Sequence, residues 1–534
     1  MLEFKNLMSL KELNMPACAT PKETTDFPSS GNLILPVPDT DFRDYLDQVD
    51  ELVRFAPEIV GKIEKDLDAH AQEKKRLRLE DRRFFAAQTN DLPELDVAER
   101  DLAAGELSLA AGRPRMPGYA VYVFMMLRGF LGSLTSQPAR RLLFESMSLD
   151  YFLRSRELKM PGLTTILENV NALSYATREF ITDKQIELVF EEGLDDFKEL
   201  TIDSTAVKAN SCWPTDGKIL TGLLGRAHRL GQQLDVFGLK NFRKGWVPRW
   251  LGEMDKLEFQ ICLSAGKAKS RGKMKKHYRK LLCRAGKAAD ALSLQLSGFE
   301  EGLELRDQPP SRREMLHRVL KQIRCDIADA KRVVDYCGER VFRDKKLPST
   351  EKILSLSDGS AAYIKKGSRD PVIGYKPQLV RSASGFVTNL LVPQGNAADS
   401  IKLEPAIGEA IRRTGVIPEL VSTDDGYASA QGRAEVLAMG VKDLSISGAK
   451  GKKLTAPDDW ESETYRQARR NRSAVESLMF TIKDGFEFGE LARRGIDAVR
   501  DELNEKVLAY NCCRIILMRK RREKHRREEM KRAA

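Results

Sequence analysis

Three acidic residues occupy settings that suit divalent-metal chemistry: Asp203 in LTIDSTAVKANS, Asp424 in LVSTDDGYAS and Glu476 in RRNRSAVESLMFTIK. The two aspartates end hydrophobic, β-branched runs, and the glutamate lies on a basic helical stretch. Magnesium prefers hard oxygen ligands and few bonds from protein, so two or three carboxylates with phosphate oxygens and water complete its shell. Two such ions about 3.5–4 Å apart activate an attacking oxygen and stabilise a leaving one in an in-line displacement at phosphorus. Carboxylates gathered without a cation repel one another. The expected cofactor is therefore Mg2+ or Mn2+, as two ions. Each acid also has a plainer role open to it. Asp203 could cap a strand end, Asp424 with Asp425 and Gly426 could form a turn, and Glu476 could pair with Arg472 or Lys483. Their joint appearance in this order favours the metal.

The composition fits a polyanionic partner. The chain has 534 residues, 42% hydrophobic and 31% charged, which suits a globular protein of about two to four domains. Its net charge of +11 makes nucleic acid the leading partner. The eight cysteines form no CxxC pair and the five histidines no HxxxH or CxxH spacing, which argues against structural zinc. Scattered thiols fit a reducing compartment, the cytoplasm and its nucleoid. The N-terminus shows neither a basic n-region nor an apolar h-region. The longest apolar stretch, residues 119–134, is broken by Arg128 and too short for a comfortable membrane span, so it reads as a buried core helix.

The elements that must position the acids follow from the patterning. Residues 1–40 are rich in Pro, Ser, Thr and Asp and read as a flexible leader, and 41–110 as a charged helical region. Residues 111–195 read as a helical N-terminal domain of DNA-binding type. Pro117 suits the first turn of its apolar helix, Ser136 caps a second helix, and a third starts near Pro161. At residue 196 the period changes to that of a strand around Asp203. Residues 220–344 are helical and basic. From Gly266 to Lys287 there are ten Lys or Arg and no acid, which favours phosphate contact by Lys273, Lys275, Lys276, Arg279 and Lys280. His277 and Tyr278, interleaved in that run, could stack on bases. From Ser355 come three strands, SLSDGSAAYIK, DPVIGYKPQLVRSAS and GFVTNLLVPQGN, with SASG as the hairpin turn. A helix then opens with Asp399 or Ser400 at its N-cap and closes at Gly415, after which strands and helices alternate up to a helix over 465–484. Residues 501–534 read as a C-terminal helix with a basic tail.

This order of elements is what a ribonuclease H-like α/β core, over 196–219 and 345–500, would give with a large helical insertion at 220–344 after its first strand. An all-α N-terminal region precedes it. In such a core Asp203 on the first strand and Asp424 at the carboxyl end of a later strand lie side by side, and Glu476 reaches them from the closing helix.

The motifs resemble those of the DDE-type transposases of bacterial insertion sequences, whose second acid sits in Asp-x-Gly-Tyr and whose third lies in Tyr-x2-Arg-x3-Glu-x6-Lys. Here Asp424-Asp425-Gly426-Tyr427 matches the former, and Arg472, Glu476 and Lys483 match the latter at the same spacing. Asp203-Ser204-Thr205 is similar to the first-acid motif, and the resemblance spans residues 110 to about 515. The family tyrosine would fall at Arg469, with Tyr465 one turn earlier, and the long insertion follows the first acid and not the second. The resemblance implies that Asp203, Asp424 and Glu476 are catalytic and bind the metals. It also implies that Arg472, Lys483 and Arg469 face DNA phosphates, and that Asp425 tolerates substitution better than Asp424. The implied activity is metal-dependent cleavage at the terminal inverted repeats of an insertion sequence and 3′-hydroxyl strand transfer into target DNA. The implied partners are double-stranded DNA and a second copy of the chain or more. A ribonuclease H-like nuclease or resolvase that cuts without joining, and an inactive DNA-binding derivative, are the alternatives.

Overall fold

The computed structural model describes residues 40–103, 115–211, 213–234, 242, 245–264, 270–301, 308–365 and 370–533. All of the expected leader but its last residue lies outside them. The described residues within 1–68, 114–210 and 374–534 form one compact unit, and those within 69–113 and 211–373 form another. These units cut across the boundaries read from composition: the N-terminal helical segment groups with the sheet, and 69–113 groups with the helical insertion.

The first unit is built on a five-stranded sheet. The strands among the described residues are β1 (Glu199–Ser204), β2 (Val207–Lys208), β3 (Ala362–Ile364), β4 (Val372–Tyr375), β5 (Gln378–Ser382), β6 (Val387–Leu391), β7 (Leu420–Thr423) and β8 (Asp443–Ile446). The sheet order is β6-β5-β1-β7-β8. β5 runs antiparallel to both β1 and β6, whereas β1, β7 and β8 are parallel. Numbered by their order in the chain, these five strands lie as 3-2-1-4-5 with the second reversed. The expected second strand is interrupted at Lys376-Pro377 and becomes β4 and β5, because proline has no N–H to give a ladder. The SASG hairpin forms as expected, with Gly385 at φ 96° and Ser382 N donating to Phe386 O at 2.9 Å.

Helices cover both faces. In chain order the unit contains α1 (Thr40–Phe55), α2 (Gly118–Phe130), α3 (Tyr175–Glu191), α4 (Leu403–Thr414), α5 (Ala430–Ala438), α6 (Glu463–Gly485) and α7 (Ile496–Ala533). Leu200, Ile202 and Val421 of the sheet share one apolar cluster with Leu403, Ala406 and Ile407 of α4 and Val436 of α5. α6 packs on β1, β7 and β8 through Tyr465, Ala468, Asn471, Val475, Leu478 and Ile482, an i, i+3, i+4 stripe. Ser462 caps α6 by accepting from Tyr465 N at 3.1 Å.

The apolar stretch expected as a core helix is α2, whose side chains from Ala120 to Phe130 are all buried. No helix of the described residues is long and apolar enough to cross a membrane. α2 packs against α7 so closely that a Cβ at Gly129 would lie 2.0 Å from Glu505 O. Beside that contact Glu505 accepts from Arg128 (2.6 Å to each oxygen) and from Arg178 Nε (2.7 Å). Burial alone would raise this carboxyl, but the two guanidiniums outweigh it and hold the pKa at about 2.

The described residues of the second unit are mainly helical, with β3 and the start of β4. Helices Asp216–Gln233, Val247–Ser264, Arg271–Glu301 and Pro310–Phe342 pack pairwise around a core that includes Leu220, Leu224, Leu281, Leu292, Ile323 and Val333.

Candidate active site

Strand register brings the two aspartates together. Thr201 on β1 lies opposite Ser422 on β7 in the parallel pair. Asp203 and Asp424 are each two residues further on, which puts them on the same face at the carboxyl ends of neighbouring strands, whose backbones run about 4.8 Å apart. That face can be identified from the chain's own bonds. Leu200 and Ile202 point into the α4 and α5 side, so Glu199, Thr201 and Asp203 point to the other. There Glu199 Oε2 accepts from Asn471 Nδ2 at 2.6 Å and from Gln467 Nε2 at 3.3 Å, both on α6.

α6 runs alongside β1. Asn471 marks its level at Glu199, and Lys483 Nζ donates to Ala206 O, just past the end of β1, at 3.1 Å. Glu476 is about 7.5 Å along the helix from Asn471 at 1.5 Å per residue. Asp203 is about 13 Å along the strand from Glu199. Glu476 thus stands within roughly one helical turn of the level of Asp203, on the sheet face that Asp203 and Asp424 share. Its side chain is exposed, as is that of Arg472. Among the described residues no group of three or more His, Cys, Asp or Glu is gathered closely enough to hold a metal ion. The structure pairs Asp203 with Asp424 and leaves Glu476 outside any such group. An adjacent pair of partly exposed carboxylates at strand ends nevertheless fits a hard divalent cation, which takes its remaining ligands from water and phosphate.

The neighbouring acid is used differently. Asp425 Oδ1 accepts from Lys450 N and Gly451 N, each at 2.8 Å, and so closes the start of the short helix Ala449–Lys452. Asp424 accepts from Gly426 N, at 3.0 Å, within its own turn.

Asp399 departs from the reading as a helix cap. The residue before the first 3-10 turn is Ala398, and α4 proper starts after Lys402. The Asp399 side chain is instead buried, accepting from Lys376 Nζ at 2.8 Å and Gln378 Nε2 at 2.9 Å. A buried carboxylate needs a cation more than a cap needs an acid. Gln378 Oε1 in turn accepts from the hydroxyl of Tyr427, which is fully buried. Burial, then Asp399, Asp203 and Asp424, raise the Tyr427 phenol well above its ordinary range, which places all three acids in its electrostatic neighbourhood.

The remaining expected contacts are mixed. The Arg469 guanidinium lies 5.0 Å from the centre of the Tyr465 ring and donates to Trp460 O at 3.4 Å. Tyr465 itself is buried core. In the second unit Lys273, Lys276, Arg279 and Lys280 are exposed, while Lys275 is half-buried with Nζ 3.9 Å from Asp344. Counter-charge absent from the basic run comes from elsewhere in the chain: Asp344 also pairs with Arg271 at 2.5 Å, and Glu253 with Arg284 at 2.6 Å. Tyr278 is no stacking platform, because it is buried with its hydroxyl 2.7 Å from Asp216 Oδ2, anchoring the bundle.

A mixed 3-2-1-4-5 sheet with two carboxylates at the ends of adjacent parallel strands defines a ribonuclease H-like α/β core. Residues 345–512, which include Asp424, Glu476, Arg472 and Lys483 but not Asp203, match the family model described as the transposase DDE domain. The match supports a DDE-type transposase. Comparison with curated proteins and with solved structures returns no match.

Proposed function

We propose that this chain is a transposase that cuts DNA at the ends of its own insertion sequence and joins the freed 3′ hydroxyl to target DNA. The observation that carries the reading is the register placing Asp203 beside Asp424, on the sheet face that α6 covers. Asp203 and Asp424 would hold divalent ions, with Glu476 reaching them from α6. Bound there, the ions would supply an activated oxygen nucleophile and charge neutralisation at phosphorus.

The chain's own groups handle the strand. Arg472, exposed on α6, offers a planar fork to phosphate oxygens. Lys483 sits at the carboxyl end of β1 and brings positive charge to the edge of the acid pair. Arg469 is held on the same helix by Tyr465 and Trp460 O. On the second unit the exposed Lys273, Lys276, Arg279 and Lys280, with Lys275 beside them, form a surface for duplex phosphates. Pairing two element ends would require at least a dimer on DNA.

The test is a reaction with DNA carrying the inverted repeats that flank the gene, a supercoiled target plasmid and Mg2+. Cleavage followed by covalent joining to the plasmid is the expected result. Cleavage without joining would favour the resolvase-type reading, and binding without cleavage the inactive derivative.

A further inference from the structure

The turn that carries Asp424 rests on polar groups that neither the acid motifs nor the phosphate contacts account for. Asp399, 8% exposed, holds Lys376 and Gln378 on one oxygen, Oδ1. Its other oxygen, Oδ2, abuts the Asp424 turn: a Cβ built on Gly426 would lie 3.1 Å from Asp399 Oδ2 and 3.0 Å from Asp424 Oδ1. Gln378 opens β5 directly opposite Ser204, the residue after Asp203. Its carbonyl oxygen takes the Tyr427 hydroxyl, and Tyr427 is the last residue of the Asp424 turn. The chain Lys376–Asp399–Gln378–Tyr427 therefore links the strand beside Asp203 to the turn after Asp424 through buried hydrogen bonds.

We infer that Asp399, acting through Gln378 and Tyr427, is a positioning residue that sets the separation of Asp203 and Asp424 for a divalent ion. This rests on the assignment of those two aspartates as metal ligands. The physical reason is that the two acids sit on different elements: Asp203 near the end of a strand, Asp424 just beyond one, where the ladder no longer fixes its backbone. Two like charges at that spacing push apart. A hydrogen-bonded tie anchored by a buried ion pair opposes the spread, and groups that orient metal ligands typically matter about 10–100-fold in affinity. Lys376, with Nζ 2.8 Å from Asp399 Oδ1, supplies the positive charge beside this third carboxylate. A Cβ at Gly426 would sit tightly between Asp399 Oδ2 and Asp424 Oδ1, so a side chain there presses on both carboxylates.

The experiment is Mn2+ binding to the full-length protein without DNA, followed by the electron paramagnetic resonance signal of free Mn2+, with melting recorded on the same samples. Tyr427→Phe removes one hydroxyl and keeps the ring. It and Asp399→Ala are expected to weaken Mn2+ binding about tenfold while the fold persists, and Asp399→Asn, which still accepts from Gln378 but loses the charge facing Lys376, is expected to recover only part of the loss. Should Asp399→Ala fail to fold, Tyr427→Phe decides the question alone. Wild-type affinity in Tyr427→Phe, with binding lost in Asp203→Ala and Asp424→Ala, would overturn the inference and leave the metal ligands standing. Wild-type affinity in Asp203→Ala and Asp424→Ala would remove the ligands themselves, and this inference with them.

Discussion

Replacing Asp424 or Asp425, adjacent in sequence, by alanine is expected to produce opposite defects. Asp425 Oδ1 accepts two backbone N–H groups at 2.8 Å, those of Lys450 and Gly451. Its loss leaves the start of a short helix uncapped, a cost of about 1–2 kcal/mol, discounted toward the lower value because the site is partly exposed. In a unit of this size that lowers the melting temperature by roughly 2–4 °C per kcal/mol and leaves the acid pair in place. Asp424 holds Gly426 N within its own turn, so its removal costs stability little. If it holds metal at the scissile phosphate, its loss is expected to slow cleavage at least about 10³-fold, on the order of 4 kcal/mol of activation free energy. Nicking of a labelled repeat-bearing duplex in Mg2+, with melting curves on the same preparations, reads both quantities. An Asp425→Ala protein that is stable but inert, beside an Asp424→Ala protein that cuts, would refute the assignment.

Three further outcomes are expected. Glu505→Gln takes from Arg128 its paired carboxylate and leaves Arg178 only Asp501, 3.6 Å away, and should cost about 3 kcal/mol in chemical denaturation. In the native chain the Glu505 pKa is depressed to about 2, so its contribution is complete above the unfolded value near 4.5 and lost as pH falls from there toward 2. A stability curve flat between pH 5 and 2 would contradict this. Lys273→Glu with Lys276→Glu and Lys280→Glu should weaken duplex binding across all sequences and flatten its salt dependence by roughly one unit of slope for each phosphate that is no longer neutralised. An unchanged slope would remove this helix from the DNA surface. Gly426→Ala should slow cleavage while the protein remains folded, because the added methyl presses on Asp424 Oδ1 and Asp399 Oδ2; a fully active variant would show that the gap is not needed.

Much of this arrangement is legible in the residues themselves, for identifiable reasons. β1 announces itself through β-branched residues around Asp203, and Gly415 ends α4 in the left-handed region at φ 67°, as its position required. The adjacency of the Asp203 and Asp424 strands is expected through the ribonuclease H-like order of elements, and β1 and β7 are indeed parallel neighbours. What escapes such reading is non-local. Asp399 carries a local cap signature, and nothing nearby in sequence says that Lys376 and Gln378, more than twenty residues earlier, will claim it. Pro377, which splits the strand beside them, is the one hint. The basic run on Arg271–Glu301 looks unopposed because its acids, Asp344 and Glu253, lie outside it, and Tyr278 looks available because Asp216 is distant in sequence. Glu476 is expected beside the aspartates. It is exposed on α6 beside buried Val475, and no three-acid cluster forms among the described residues.

The most direct test of the central claim exchanges one proposed ligand for a softer one. Asp203→Cys places a thiolate where an oxygen would face the metal, and thiolate binds Mn2+ better than it binds Mg2+. The account predicts that cleavage of repeat-bearing DNA by Asp203→Cys is lost in Mg2+ and restored in Mn2+, whereas Asp203→Ala stays inactive in both. Full activity of Asp203→Cys in Mg2+, or of Asp203→Ala in either ion, would contradict it.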